Sequence, residues 1–201
     1  MTPSDFEDHA SFFHVAKGDF DRARQKGFWR SVGSWLANEE NELLPFDIIR
    51  QRLPFHGEHY LGVRQIEVDK IVGSVSRYSD FDSTFLPRQT HTRSRWESID
   101  RAHLQDVILP PIEVYKVGEL YFVKDGNHRV SVAREKGQIY IDAEVIEIDT
   151  HVFLDSRDDL SDVVLLEERI RFYETTSLTK LRENVAIEFT IQGQYDNLLR
   201  H

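Results

Sequence analysis

The sequence predicts an α/β (α+β) fold, because two different hydrophobic spacings alternate along the chain. Runs rich in aromatic and β-branched residues, which suit buried strands, lie at 112–117, 120–124 and 139–148. The segments between and beyond them repeat apolar residues every three or four positions, as helices do. We expect three parts, namely a helical N-terminal arm over 1–61, a main domain over 62–150 and a C-terminal αβ extension over 151–201.

The N-terminal arm is expected to contain a basic amphipathic helix between residues 19 and 36. The apolar residues near one face of this helix are Phe20, Phe28, Trp29, Val32, Trp35 and Leu36. Such a helix can lie on a membrane surface, enter a partner's groove or dock on its own main domain, which is the commonest role of an amphipathic helix. A second short helix is expected over 46–53, and residues 54–60 are expected to form a linker.

The first half of the main domain is expected to be a strand followed by a long loop. Residues 64–72 alternate between apolar and polar side chains, as a strand does. Residues 73–87 are too irregular for a helix or strand, and long ordered loops of this kind are often functional. The segment after the loop has helical spacing and carries Arg88, Arg93, Arg95 and Arg101. These arginines either surround an anionic ligand or form the solvated face of a helix.

Residues 120–137 carry the strongest functional signal in the sequence. A strand over 120–124 forms a hairpin with the strand before it and ends at the turn 125–126, where a short helix begins. The first turn of that helix presents free N–H groups, the positive end of the helix dipole and the side chains of His128 and Arg129. This combination predicts an anion site, most naturally for phosphate. The alternative is a capped strand–helix turn with a solvated arginine.

The C-terminal extension is expected to contain a helix over 160–173, a strand over 185–191 and the start of a helix at 196–201. The sequence stops where that last helix would normally continue. We therefore expect the 201 residues to be the front part of a longer protein.

Composition narrows the classes of function. The chain has no cysteine, which excludes a disulfide scaffold, a thiolate zinc site and a cysteine nucleophile. No apolar run approaches the length of about 20 residues that a membrane span needs, and the N-terminus lacks the pattern of a secretion signal, so we expect a cytoplasmic protein. The net charge of −10 disfavours binding to duplex DNA, but it does not exclude a small phosphorylated ligand in a local basic pocket.

The run from Ile66 to Ile148 resembles the ParB/sulfiredoxin superfamily in the order of its motifs. A strand ending in I-x-V-D-x-I precedes a polar loop and a helix. Then come P-P-I-x-V, a hairpin strand, D-G-N-H-R at the start of a helix, and a final I-D-A-E-V-I. The similarity is tighter to uncharacterised bacterial ParB-like proteins that carry LPPIEVYKVGELYFVKDGNHRVSVAREKG almost unchanged. The resemblance implies a small mixed sheet with packed helices.

The turn D-G-N-H-R differs from the corresponding turn of each related family. Sulfiredoxins have Gly-Gly-Cys-His-Arg, in which the cysteine does the chemistry and the His-Arg pair holds nucleotide phosphate. Asn127 stands in the cysteine's place, so sulfinic-acid reduction is excluded, whereas Gly126, His128 and Arg129 match the phosphate-holding part. ParB proteins, which bind and hydrolyse CTP, have Gly-Glu-Arg-Arg. The missing glutamate argues against CTP hydrolysis here.

Free-serine kinases of this fold carry a turn like Asp-Gly-His-x-Arg, which Asp125, Gly126 and Arg129 fit best, and need a carboxylate base from the early loop. The resemblance therefore implies a nucleotide- or phosphate-binding domain, either a small-molecule phosphotransferase or a nucleotide hydrolase, that uses ATP, ADP or CTP with Mg²⁺. The implied catalytic residues are Asp80, Asp82 and Asp125. The implied phosphate-binding residues are Arg77, Gly126, Asn127, His128 and Arg129.

Two other interpretations stay open at this point. The domain could be a non-catalytic module that binds nucleic acid or a protein partner, in the manner of ParB-like regulators. It could also be a structural domain whose turn is simply well capped. The nuclease activity attributed to some domains of this kind would need an acidic metal cluster, and the sequence supplies none.

Overall fold

The computed structural model describes residues 3–37, 41, 43–53, 55–77, 79–150, 160–178 and 187–200. Its strands are β1 (Leu44–Pro45), β2 (Gly57–Glu67), β3 (Ile71–Ser74), β4 (Ile112–Val117), β5 (Leu120–Asp125) and β6 (Tyr140–Asp149). Its α-helices are α1 (Pro3–Ala37), α2 (Phe46–Arg52), α3 (Arg93–Leu104), α4 (Asn127–Glu135), α5 (Leu160–Thr176) and α6 (Gln194–Leu199). Short 3₁₀ turns lie at Val68–Lys70 and Thr90–Thr92.

The six strands form one mixed sheet with the order β1-β3-β5-β4-β6-β2. β1, β3 and β5 run parallel, and β5 forms with β4 the antiparallel hairpin that the sequence predicts, with Val117 opposite Leu120. β4 and β6 are parallel, whereas β6 and β2 are antiparallel. The predicted α/β (α+β) class is therefore confirmed as a mixed sheet with packed helices.

Apolar side chains bury both faces of the sheet. On one face, Val130 of α4 and Phe85 of the loop before α3 join strand residues such as Ile112 in one buried cluster. On the other face, Phe46 of α2 stacks on Tyr115 with ring centroids 4.6 Å apart. Burial of apolar area is the main favourable term in folding. Because β5 is covered on both faces, its carboxyl end and the start of α4 are held in a fixed position.

α1 docks along α3 and α4. Phe20 is fully buried and meets Trp96 of α3 edge to face, with centroids 5.6 Å apart. At the same contact, Lys136 forms ion pairs with Asp19 of α1 and Asp100 of α3. The prediction that this helix docks on the main domain is confirmed for Phe20, whereas Phe28 stays 60% exposed.

The side chains of Trp29, Val32, Trp35 and Leu36 lie outside the described part of the structure. α1 is the longest described helix, with 35 residues. Neither it nor any other helix in the described ranges combines the length and the apolar character that a membrane crossing requires.

Strand pairing extends further than the sequence indicates. Residues 57–60, expected to lie in a linker, form the first part of β2, because the end of β6 pairs with them. At this sheet edge, backbone pairing overrides an unfavourable polar composition. The strand expected over 64–72 is the end of β2, a 3₁₀ turn and the start of β3. β2 thus runs across the expected boundary between residues 61 and 62.

The two C-terminal helices predicted from the sequence are observed, whereas the strand predicted between them is not observed in the described residues. α5 and α6 confirm the helices expected over 160–173 and near 196. Residues 187–191 form no strand within the described ranges, and 185–186 lie outside them. The backbone of Ile187 bonds to tyrosine hydroxyl groups where a strand would bond to the backbone of a neighbouring strand. The N–H of Ile187 donates to Tyr173 Oη at 2.6 Å, and its carbonyl accepts from Tyr195 Oη at 2.9 Å.

Candidate anion-binding site

The turn between β5 and α4 brings the chain into its helix within a single residue. Gly126 adopts a φ of +109°, a backbone conformation that side chains other than hydrogen rarely permit. A Cβ atom at this position would lie 2.5 Å from Cγ2 of Ile112. Glycine is therefore required here on two independent grounds, and α4 begins directly above the end of β5.

Two backbone N–H groups at the start of α4 are available to a ligand. The amides of Arg129 and Val130 already donate to the carbonyl oxygen of Gly126, at 2.8 and 3.1 Å. The amides of Asn127 and His128 have no acceptor among the described residues. They lie at the positive end of the helix dipole, where an anion is stabilised.

Two buried side-chain atoms in the same turn also lack partners. Asn127 and His128 are each only 6% exposed. Within the described residues, neither Oδ1 of Asn127 nor Nδ1 of His128 makes a hydrogen bond. Buried polar atoms are normally paired, since leaving one unpaired costs about 1–3 kcal/mol. Their presence beside two free amides points to a ligand that completes the hydrogen bonding.

His128 is held as a neutral imidazole. Burial lowers its pKa from 6.5 to about 4, and the positive charges of Arg95 and Arg77 act in the same direction. The ring also packs edge to face on Phe81, with centroids 5.3 Å apart. At neutral pH, His128 therefore offers one donor and one acceptor and carries no charge.

Positive charge surrounds the start of α4. A pocket of about 130 Å³ is lined by the turn residues together with Ser76, Arg77, Arg95, Ile99 and Lys124. Arg77 and Lys124 pair with carboxylates, at 3.3 Å from Asp80 and 3.0 Å from Glu113. Arg95 is exposed and makes no hydrogen bond or ion pair with any described residue. It is therefore the cation best placed to meet an anion in this pocket.

Arg77 is held in an unusual backbone conformation beside this pocket. Its φ is +60°, in the left-handed region that residues other than glycine seldom occupy. Its carbonyl oxygen accepts from the N–H of Asp80 at 3.0 Å, which fixes the turn. Strained residues of this kind cluster at binding and catalytic sites.

Arg129 lines the pocket, but its guanidinium is already engaged. Nη1 donates to the carbonyl oxygens of Pro110 and Pro111, the latter at 2.6 Å, and Nη2 donates to Asp125 at 2.6 Å. The side chain is 13% exposed. The structure thus places Arg129 at the predicted site and gives it a structural role that the sequence did not indicate.

The three predicted catalytic carboxylates lie in different surroundings. Asp125 is at the rim of the pocket and more than half exposed, paired with Arg129. Asp80 lies beside the pocket, where it pairs with Arg77 and with His91 at 3.4 Å. Its charge also acts on the nearby imidazole of His128.

Asp82 is fully buried and does not line the pocket. Its Oδ1 accepts from the N–H groups of Thr84 and Leu86, both at 2.9 Å, and from the hydroxyl of Thr84 at 2.8 Å. These bonds order the loop that follows β3. The structure therefore brings Asp80 and Asp125 to the predicted site and keeps Asp82 apart from it.

The sequence left the role of the four arginines undecided, and the structure divides them. Arg93 pairs with Asp21 of α1 and lies over the ring of Phe20, and Arg101 lies over Phe13. Arg88 lines a separate pocket beside α1, so Arg95 alone among the four lines the pocket at the start of α4. The helical spacing in the sequence could not show which of these arginines would face a ligand, because that depends on where α1 packs against α3.

Metal ligands do not converge in the part of the chain that the structure describes. No group of three or more His, Asp or Glu side chains there has the arrangement that a metal ion needs. The expected Mg²⁺ stays a prediction, and any such ion would depend on the phosphate oxygens of a ligand for part of its coordination.

No family model and no curated protein matches the chain. Among solved structures, it is similar to sulfiredoxin from Arabidopsis thaliana, with 17% identity and a TM-score of 0.32, over 41% of this chain and 82% of that one.

A second solved structure is the C-terminally truncated chromosome-partitioning protein ParB from Caulobacter crescentus, complexed with CTP-gamma-S. The identity is 20% and the TM-score 0.33, over 62% of this chain and 66% of that one.

Proposed function

We propose that this protein is a ParB/sulfiredoxin-like domain that binds a nucleotide or another phosphorylated small molecule at the start of α4. The observation that supports this most directly is the pair of free amides of Asn127 and His128, beside two buried side-chain atoms without partners. The oxygens of an anion would accept from the two amides, whereas Oδ1 of Asn127 is itself an acceptor and would need a donor, such as a hydroxyl group of the ligand.

The charge distribution supports the same proposal. The chain carries a net charge of −10, yet Arg77, Arg95, Lys124 and Arg129 all line one small pocket whose sole acidic residue among its described lining is Asp125. A local excess of positive charge in an acidic protein attracts small anions and raises their rate of association. A pocket of about 130 Å³ suits a phosphate or diphosphate group.

The proposed chemistry is phosphoryl transfer to a small molecule or hydrolysis of the nucleotide. Asp80 is the preferred base, because it lies beside the pocket and its carboxylate is partly accessible. Asp82 is a poorer candidate, since its Oδ1 already accepts three hydrogen bonds. Mg²⁺ brought by the phosphates of ATP, ADP or CTP would neutralise charge during the transfer.

A thermal-shift screen tests the binding step. The protein is heated with ATP, ADP, CTP, GTP, pyrophosphate or sulfate, each with and without Mg²⁺, and sodium chloride at matched ionic strength is the control. A ligand present at 100 times its Kd adds about 2.7 kcal/mol to the unfolding free energy, which gives a clear rise in Tm. If none of these anions raises Tm at millimolar concentration, the proposed function is wrong.

A further inference from the structure

A pocket of about 390 Å³ lies between α1 and the segment that precedes α3, and we call it the α1 pocket. Its described lining consists of Asp21, Arg24, Gln25, Gly27, Phe28 and Arg88. None of these residues lines the pocket at the start of α4. Sites for small organic molecules have volumes of about 300–1,000 Å³, so the α1 pocket is large enough to hold one.

The shape of the α1 pocket is fixed by a close contact between α1 and the loop before α3. Gly27 is buried, and a Cβ atom there would lie 3.2 Å from Cβ of Leu86. Glycine allows the helix and the loop to approach this closely. Leu86 belongs to the buried cluster that contains Phe20 and Trp96, so packing in the core holds the two sides of the pocket in place.

Two arginines bring positive charge to the α1 pocket. Arg24 is exposed and makes no hydrogen bond or ion pair with any described residue. The backbone N–H of Arg88 donates to the carbonyl oxygen of Asp80 at 2.8 Å, which fixes the position from which its side chain extends. Asp21 is the only acidic residue in the described lining, and it already pairs with Arg93 of α3. The pocket therefore keeps an excess of positive charge in a protein whose net charge is −10.

The α1 pocket also has an apolar part, the ring of Phe28, which is 60% exposed. An exposed aromatic ring can pack against the flat body of a ligand. The planar fork of an arginine matches the two oxygens of a carboxylate. Asp21 would repel a second negative charge on the ligand, so a singly charged carboxylate suits this pocket better than a doubly charged phosphate.

We infer that the α1 pocket binds an organic acid with one carboxylate and a flat apolar body. Arg24 and Arg88 hold the carboxylate, and Phe28 packs against the apolar body. This site goes beyond the proposed function and does not depend on it, because the two pockets share no residue of their described linings.

Fluorine NMR titration of the full chain with 4-fluorobenzoate tests the inference. A Kd of about 1 mM or lower is expected, as for other ligands of this small size. The uncharged 4-fluorobenzyl alcohol is expected to bind at least about tenfold more weakly, because it cannot form charge-assisted hydrogen bonds. Fluoroacetate, which keeps the carboxylate and lacks the ring, is expected to lose at least about tenfold through the missing apolar contact.

Substitutions then locate the bound carboxylate. Arg24→Gln is expected to raise the Kd of 4-fluorobenzoate at least about tenfold, and Phe28→Ala about three- to tenfold. Lys17→Gln is the matched control, since it removes the same charge from an exposed residue of α1 that lines neither pocket. Arg95→Gln, which changes the pocket at the start of α4, should leave the Kd unchanged. Urea unfolding of each variant confirms that it is folded.

The other outcomes overturn the inference. It is wrong if 4-fluorobenzoate does not bind at millimolar concentration, or if the uncharged alcohol binds equally well. It is also wrong if Arg24→Gln weakens binding no more than Lys17→Gln does. A loss of affinity in Arg95→Gln alone would place the carboxylate at the start of α4, which would overturn the inference and still support the proposed function.

Discussion

The guanidinium of Arg129 donates to the carbonyl oxygen of Pro111 at 2.6 Å, which ties the first turn of α4 to the segment before β4. Nη1 also reaches the carbonyl oxygen of Pro110, and Nη2 bonds Asp125. Arg129 thus fixes one wall of the pocket at the start of α4. A residue that the family resemblance assigns to phosphate therefore also holds the turn in place within the protein itself.

Arg129→Ala is expected to lower the unfolding free energy of the ligand-free protein by about 1–3 kcal/mol. The variant leaves two carbonyl oxygens without their donor, and a hydrogen bond from a charged group contributes in this range. Arg129→Lys is expected to recover only part of the loss, because it keeps the charge and loses the planar fork. Urea unfolding of the three proteins measures these differences.

Asp125→Asn is the control for that experiment. Asp125 is 59% exposed, so its ion pair with Arg129 is expected to contribute less than about 1 kcal/mol. If Arg129→Ala leaves the unfolding free energy unchanged, the contacts with Pro110 and Pro111 do not stabilise the turn. Arg129 would then be free to act as a phosphate ligand alone.

Gly126→Ala is expected to destabilise the protein by about 2–4 kcal/mol. The backbone φ of +109° is unfavourable for alanine, and the new methyl group would lie 2.5 Å from Ile112. Gly137→Ala separates these two causes. Gly137 also has a positive φ, of +68°, but a Cβ there meets nothing within 4 Å, so only about 1 kcal/mol should be lost. Equal losses in thermal unfolding would contradict the close contact with Ile112.

The strand–turn–helix at residues 120–137 could be predicted because its signals are local. An aromatic and β-branched run, an Asp-Gly turn and a change of period all fall within 18 residues of sequence. The turn at 125–126 and the start of α4 followed from this pattern. The partners of Arg129 did not, because Pro110 and Pro111 precede β4 and meet the helix only after β4 and β5 have paired.

Contacts between residues distant in the sequence also explain the other differences between the predicted and the observed structure. Residues 57–60 look like a linker by composition, and they become strand only because β6 lies beside them. Asp82 and Asp80 are equivalent in sequence, two positions apart in one polar loop. Their separation into a buried residue and a pocket neighbour depends on how that loop folds against α1 and α4. Long-range packing, which no local period encodes, decides each of these points.

His128 is expected to make the folded protein less stable in acid. Its pKa is lowered from 6.5 to about 4 in the folded state, so the unfolded chain binds the proton more tightly. The contribution of this residue to stability is therefore full above pH 6.5 and is lost progressively as the pH falls from 6.5 towards 4. Between pH 7.5 and 4.5 the loss should be about 2 kcal/mol.

The comparison of wild type with His128→Gln isolates this effect, because the glutamine does not titrate. Urea unfolding at the two pH values should show a smaller acid loss in the variant, by about 2 kcal/mol. His59→Gln, which removes an exposed histidine of β2, is the control for the other histidines. An equal acid loss in wild type and His128→Gln would show that the imidazole is not held neutral by its surroundings.

Duplex DNA is expected to bind no more tightly than about 10⁻⁵ M at physiological salt, the range of weak non-specific binding. The net charge of −10 opposes a polyanion, and the basic residues at the pocket cover too small an area to follow a DNA backbone. A gel-shift assay at two salt concentrations measures this. Nanomolar binding with a steep salt dependence would instead favour a nucleic-acid-binding regulatory module.

Arg95→Gln is expected to separate ligand binding from folding more cleanly than any variant of the turn. Arg95 is exposed and has no hydrogen bond or ion pair among the described residues, so its loss should change the unfolding free energy by less than about 0.5 kcal/mol. The free energy with which the variant binds pyrophosphate should be weaker than that of the wild type by about 1.5–3 kcal/mol, the range for a charge-assisted hydrogen bond. Arg200→Gln removes the same charge from an exposed residue that lines neither pocket. Calorimetric titration of both variants with pyrophosphate at matched salt measures this difference. Equal affinities of Arg95→Gln and Arg200→Gln would show that Arg95 does not contact the ligand.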